Sequence, residues 1–161
     1  MKKRYTDILF DLDNTLYDTS RLARESTTNP HTNVCVPGAE RVVAYLEQCG
    51  YRLHVCTNGQ RSEQEYKLRA TGLANHFITL ITSDEIGVEK PDSRFFAEAL
   101  RMVGSNPTNT LVIGDNFDTD MLGAIHSGID CMLFNRWQHD FVPPEPVTYI
   151  IQELTDIVRL L

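Results

Sequence analysis

Short apolar runs alternate along this chain with stretches in which apolar residues recur every three or four positions. Residues 6–10 form the first apolar run, with Ile8 and Phe10 strand-prone, and read as a buried strand. Residues 13–18 read as a turn. Residues 19–37 are mostly polar, with weak periodicity and a turn-rich centre at 26–30, and predict an irregular connection with a short helix near Leu22. Within 40–49, Val42, Val43, Leu46 and Cys49 keep a helical spacing, and Gly50 is placed to stop that helix. A second strand is predicted over 51–56 and a helix over 61–70 that closes at Gly72. A third strand follows over 77–81, then a loop through 83–92. Asp92 or Ser93 can cap a helix to about Val103, with Phe95, Phe96, Ala99 and Leu100 on its face. A strand over 110–113, a helix over 119–127, a strand over 129–134, a loop over 135–146 and a final strand tip and helix over 149–161 complete the pattern. Strands alternating with amphipathic helices predict an α/β fold with a mainly parallel sheet of five or six strands and helices on both faces. No internal repeat or linker interrupts residues 1–161, so a single domain is expected.

Composition narrows the classes. The hydrophobic fraction is 42% and the charged fraction 23%, as expected of a globular domain, not a disordered chain. Fifteen Lys and Arg against 22 Asp and Glu give a net charge of −7, which argues against a nucleic-acid-binding surface. It also requires that any anionic substrate be met by local positive charge. Cys35, Cys49, Cys56 and Cys131 form no C-x-x-C pair and read as free thiols, consistent with a reducing cytoplasm. The basic N-terminus is followed by an apolar run too short for a signal peptide, and no stretch approaches a membrane span. A cytoplasmic location is expected.

In such sheets the ligand crevice lies at the carboxyl ends of the strands. Residues 11–15, at the first of these ends, place two carboxylates one residue apart, followed by a hydroxyl. In extended backbone Asp11 and Asp13 would project together, and two like charges so close require a cation or a shared proton. Hard carboxylate oxygens favour Mg²⁺. A plain Asx-rich turn is the competing reading. After the second strand come Thr57 and Asn58, after the third Lys90, and after the fourth Asp115 and Asp120. Each has an ordinary reading: a turn, a solvated lysine, helix-start acids. Together they supply what is needed to handle a phosphate with a metal.

The set Asp11-Leu12-Asp13-Asn14-Thr15, Thr57-Asn58, Lys90-Pro91 and Gly114-Asp115-Asn116-Phe117-Asp118-Thr119-Asp120 resembles, in order and spacing, the four motifs of the haloacid dehalogenase superfamily. Residues 36–39 and 87–92 resemble its phosphatase branch. The resemblance implies a three-layer Rossmann-like core and hydrolysis of a phosphate monoester. In it Asp11 would be the nucleophile, forming an aspartyl-phosphate, and Asp13 the general acid and base. Mg²⁺ would be held by Asp11, the Asp13 main-chain carbonyl and Asp115. Thr57, main-chain amides including that of Asn58, and Lys90 would bind phosphate. Asp120 and Asn116 would support these from behind, with Asp120 orienting Lys90 or a metal-bound water. Asp118 is left outside the site. The acid at Asp13 separates this pattern from the dehalogenases, which lack it.

The chain departs from the superfamily in one respect. Members acting on small metabolites usually insert a helical cap between the first two motifs or between the second and third. Neither 19–37 nor 60–89 can hold one. An open site follows, with three readings of it: a bulky or macromolecular substrate that covers the site, a lid from a neighbouring subunit in an oligomer, or a cap lost by deletion. The substrate class therefore spans small metabolites, nucleotides and phosphorylated macromolecules. A catalytically weak or inactive scaffold domain that keeps the motifs is the rival class. A two-component receiver domain is opposed by the order of the acids and the lysine, and a dinucleotide-binding domain by the absence of G-x-G-x-x-G.

Overall fold

The computed structural model describes residues 4–24 and 34–161. Its strands are β1 (Asp7–Phe10), β2 (Arg52–Thr57), β3 (Thr79–Thr82), β4 (Thr110–Gly114), β5 (Asp130–Phe134) and β6 (Tyr149–Ile151). The helices are α1 (Thr19–Arg24), α2 (Ala39–Gln48), α3 (Arg61–Ala70), α4 (Ser83–Ile86), α5 (Ser93–Val103), α6 (Leu122–His126) and α7 (Ile157–Leu160). The six strands form one sheet in the order β3-β2-β1-β4-β5-β6, every neighbouring pair parallel. This is the predicted α/β architecture.

Parallel strands bonded on both sides must be apolar on both faces, and β1 and β4 are buried along their whole length. Alternate residues of β1 then serve opposite layers. Ile8 and Phe10 pack with Val42, Val43 and Leu46 of α2 and with Ile157 of α7. Leu9 packs with Phe95, Phe96 and Ala99 of α5 and with Met121 and Ala124. The central strand is thus clamped between two cores.

The order places β2 on one side of β1 and β4 on the other. The chain reverses direction across the sheet at β1/β4, which opens a crevice at their carboxyl ends.

Two elements differ from the sequence reading. Residues 83–86, expected as loop, form α4, with Thr82 before it and Gly87 in the left-handed region at φ 86° ending it. The helix expected from Thr119 begins instead with a π-helical turn, Phe117–Met121, before α6. The irregular segment expected over 19–37 opens with α1; its turn-rich centre, 26–30, lies outside the described residues.

Candidate active site

The site begins where β1 runs out. The ladder continues one residue past the strand, with the Asp11 amide donating to the Ile113 carbonyl at 2.8 Å. The chain then tightens. The Leu12 carbonyl accepts from the amides of Leu16 and Tyr17, both at 2.9 Å. Asn14 sits at φ 61°, and its side-chain oxygen accepts from the Thr19 hydroxyl at 2.8 Å and the Thr19 amide at 3.1 Å. Asn tolerates the left-handed region better than most residues. The Asx turn and the acidic cluster are therefore one structure: the turn holds the carboxylates in place.

Asp11 and Asp13 take separate partners. Asp11 lies 3.0 Å from Lys90 Nζ and accepts from the Thr15 hydroxyl at 3.3 Å. Thr15 is fully buried and its oxygen is also 3.5 Å from Asp115, so it bridges the ends of β1 and β4. Asp13 is met by Lys67 of α3, which approaches its two oxygens at 3.2 and 3.3 Å.

Lys90 is the hub. Its side chain is 3% exposed, and Nζ donates to Asp120 at 2.6 Å, to the Cys56 carbonyl at 2.8 Å and to Asp11 at 3.0 Å. Burial works against its charge, but Asp11 and Asp120 outweigh that and hold it firmly protonated. Its backbone is fastened by Asn58, whose side chain accepts from the Lys90 amide at 2.9 Å and donates to the Lys90 carbonyl at 3.1 Å. The Thr57 hydroxyl, 1% exposed, is turned to Gln64 at 3.1 Å, with the Asn58 carbonyl at 3.3 Å. Reaching a phosphate would require it to exchange the Gln64 contact.

After β4, the Asn116 side chain accepts from the Thr119 amide at 3.2 Å and starts the π-helical turn. That turn brings Asp120 back beneath the strand end, where its second oxygen accepts from the Asn116 amide at 3.3 Å. Gly114 makes room: a Cβ there would lie 2.3 Å from Asp120 Oδ2. Asp118 is exposed.

Asp11, Asp115 and Asp120 each offer an oxygen within 4.8 Å of the others, the group among the described residues whose donors suit a metal ion. Burial, and then Asp11, push Asp115 up to about 8 and Asp120 up to about 7. Three carboxylates opposed by one lysine leave an excess of hard negative oxygens, a donor set that suits a small divalent cation such as Mg²⁺.

Asp11, Lys90, Asp115 and Asp120 are thus brought together, with Asn58 fastening Lys90 and Asn116 fastening Asp120, while Thr57 faces Gln64 and Asp13 faces Lys67. Sequence reasoning missed Lys67, Gln64 and any role for Thr15. Lys67 carries no signal in its own sequence neighbourhood that ties it to Asp13.

Residues 24–134 match the family model described as haloacid dehalogenase-like hydrolase. The chain belongs to this family. Among its relatives, a glyceraldehyde 3-phosphate phosphatase of Methanothermobacter thermautotrophicus is 39% identical over 99 residues, 62% of this chain and 44% of the relative. The pyrimidine 5'-nucleotidase YjjG of Escherichia coli is 31% identical over 143 residues, 85% of this chain and 62% of the relative. The chain spans about half the length of the curated relatives it matches. In fold, it superposes on the magnesium-bound HAD-hydrolase YfnB of Bacillus subtilis with a TM-score of 0.84, at 23% identity, covering 99% of both chains. The two chains share a fold. No helix among the described residues is long and apolar enough to cross a membrane.

Proposed function

We propose that this chain is a Mg²⁺-dependent phosphatase that hydrolyses a small phosphate monoester through an aspartyl-phosphate. The observation that carries the reading is Asp11 held at the β1 end by Lys90 and Thr15, with Asp115 and Asp120 gathered beside it. A carboxylate so placed is a nucleophile with its lysine already in contact. Related phosphatases, named for glyceraldehyde 3-phosphate, phosphoserine and pyrimidine nucleotides, support the ester class.

Asp11 attacks phosphorus in line with the ester oxygen, and the bond to the leaving group breaks as the new one forms. Asp13 gives its proton to the departing oxygen. Burial raises its carboxyl above the usual range against the opposing pull of Lys67, the direction that suits a general acid. In the second half Asp13 takes a proton from the water that attacks the aspartyl-phosphate; inorganic phosphate leaves and Asp11 is restored. Lys90 neutralises charge on Asp11 and the phosphoryl oxygens throughout. Asp11, the Asp13 carbonyl and Asp115 would hold Mg²⁺, with Asp120 and Asn116 supporting. When bound, the ion lets the anionic ester approach an anionic nucleophile.

The reading includes an open site, because 19–37 is too short for a cap. A cavity of about 270 Å³ lies beside Asp115 and Asn116, walled by Arg136, Trp137 and Phe141. Phosphate release from an aryl phosphate is the test. Turnover that requires a divalent ion and disappears in Asp11→Asn is expected. No turnover with any divalent ion overturns the reading in favour of a binding module.

A further inference from the structure

Asp13 has no contact with Lys90. Its cation is Lys67, on a helix that begins after the second strand and crosses back over the β1 turn. An ordinary surface lysine paired to a glutamate one helical turn away would be solvated and would contribute little. Lys67 departs from that. Its side chain is 18% exposed, it lies 3.0 Å from Glu63, and it reaches 54 residues back along the chain to both oxygens of Asp13. The Tyr17 ring, 6.0 Å from Nζ, flanks it, and Tyr17 is itself bridged through its backbone to Asp13. Glu63, Tyr17 and Asp13 thus fix the ammonium from three sides.

Asp13 is one-third exposed even beside Lys67, and without that ammonium it would face Asp11 with no cation to hold its orientation. We propose that Lys67 is a positioning residue that holds the Asp13 carboxyl toward the ester oxygen, so that α3 governs proton delivery to the leaving group. The proposal rests on the phosphatase reading above. It concerns only the step in which the bond from phosphorus to the ester oxygen breaks and Asp13 supplies the proton to that oxygen.

Leaving groups separate positioning from general damage. A nitrophenolate departs without a proton, whereas an alkoxide needs one. kcat/KM reports events up to loss of the leaving group. The Mg²⁺-loaded chain is compared on p-nitrophenyl phosphate and on glycerol phosphate. Lys67→Met should lower kcat/KM on glycerol phosphate by roughly 10- to 100-fold, part of the usual general-acid contribution, and on the aryl ester by less than about threefold. Lys67→Arg should restore most of the loss, and Glu63→Gln should produce a smaller loss with the same preference. In an Asp13→Asn background Lys67→Met should have no further effect. Equal losses on both esters, or an undiminished loss in the Asp13→Asn background, overturn the proposal. So does a Glu63→Gln variant indifferent to leaving group should Lys67→Met fail to fold. A parent chain without turnover fails at the phosphatase reading itself, which the Asp11→Asn comparison identifies separately.

Discussion

Replacing Lys90 by methionine removes the one cation among the described residues that pairs with both Asp11 and Asp120. The side chain is buried, with ion pairs at 3.0 and 2.6 Å, so water cannot take its place. Asp11, Asp115 and Asp120 would be left within 4.8 Å of one another. Two like charges at that distance repel by about 3.5 kcal/mol at an effective dielectric of 20. Breaking a buried pair by deleting one partner costs about 3–5 kcal/mol in general. The carboxylates escape by taking protons, and Asp115 and Asp120 are already displaced to about 8 and about 7. The loss should therefore depend on pH. With chelator present, urea unfolding should show Lys90→Met less stable than the parent by about 3–5 kcal/mol at pH 8.5 and by only about half that at pH 5.5. Adding Asp120→Asn should recover much of the deficit at pH 8.5 without restoring phosphate release, since Asp11 still lacks its lysine. A loss below about 1 kcal/mol at both pH values, or a double variant no more stable than Lys90→Met, would refute the reasoning.

Metal linkage gives a second expectation. Asp115 has a folded-state value above that of an ordinary carboxyl, so its contribution to stability is present at low pH and is lost as pH rises toward about 8. Without metal the protein should lose stability over that range, and Mg²⁺ should raise Tm more at pH 8.5 than at pH 5.5; a pH-independent shift in thermal melts counts against a site at Asp115. Gly114→Ala should destabilise by about 1–3 kcal/mol and depress turnover, because its Cβ would meet the buried Asp120 carboxylate at 2.3 Å. A variant with parental urea midpoint and rate would show that Asp120 can move away freely.

The strand ends were legible because a buried parallel strand carries its own signature: apolar on both faces, then an abrupt polar residue. Ile8, Leu9 and Phe10 followed by Asp11 are such a case, and so is the passage from Ile113 through Gly114 to Asp115. Once the order of elements implies a parallel sheet, those ends share one edge of the fold. What local pattern cannot carry is the direction in which a helix returns. Lys67 lies on α3 among Glu63, Glu65 and Arg69 and reads as an ordinary charged face; only packing against the β1 turn brings it to Asp13. The Thr57–Gln64 hydrogen bond was hidden in the same way, since Gln64 lies in a helix whose entry angle the sequence does not state. The π-helical turn was hidden for a related reason. Asn116 to Asp120 reads as a helix start, and the wider turn follows from the demand that Asp120 reach Lys90.

The two lysines divide the work. Four carboxylates converge here, and the chain as a whole is acidic at −7, so the site draws no help from a general field. Lys90 enters from the loop after α4 and pairs with Asp11 and Asp120. Lys67 enters from α3 and pairs with Asp13, the general acid of the proposed mechanism. Had one lysine faced all four, the nucleophile and the acid would respond together to every change in that cation. With separate partners on separate elements, Asp11 is tied to Ile113, Thr15 and Lys90, while Asp13 is tied to α3 through Lys67. In the proposed mechanism, the opposed chemical demands on Asp11 and Asp13 would thereby be met without lengthening the turn that carries both.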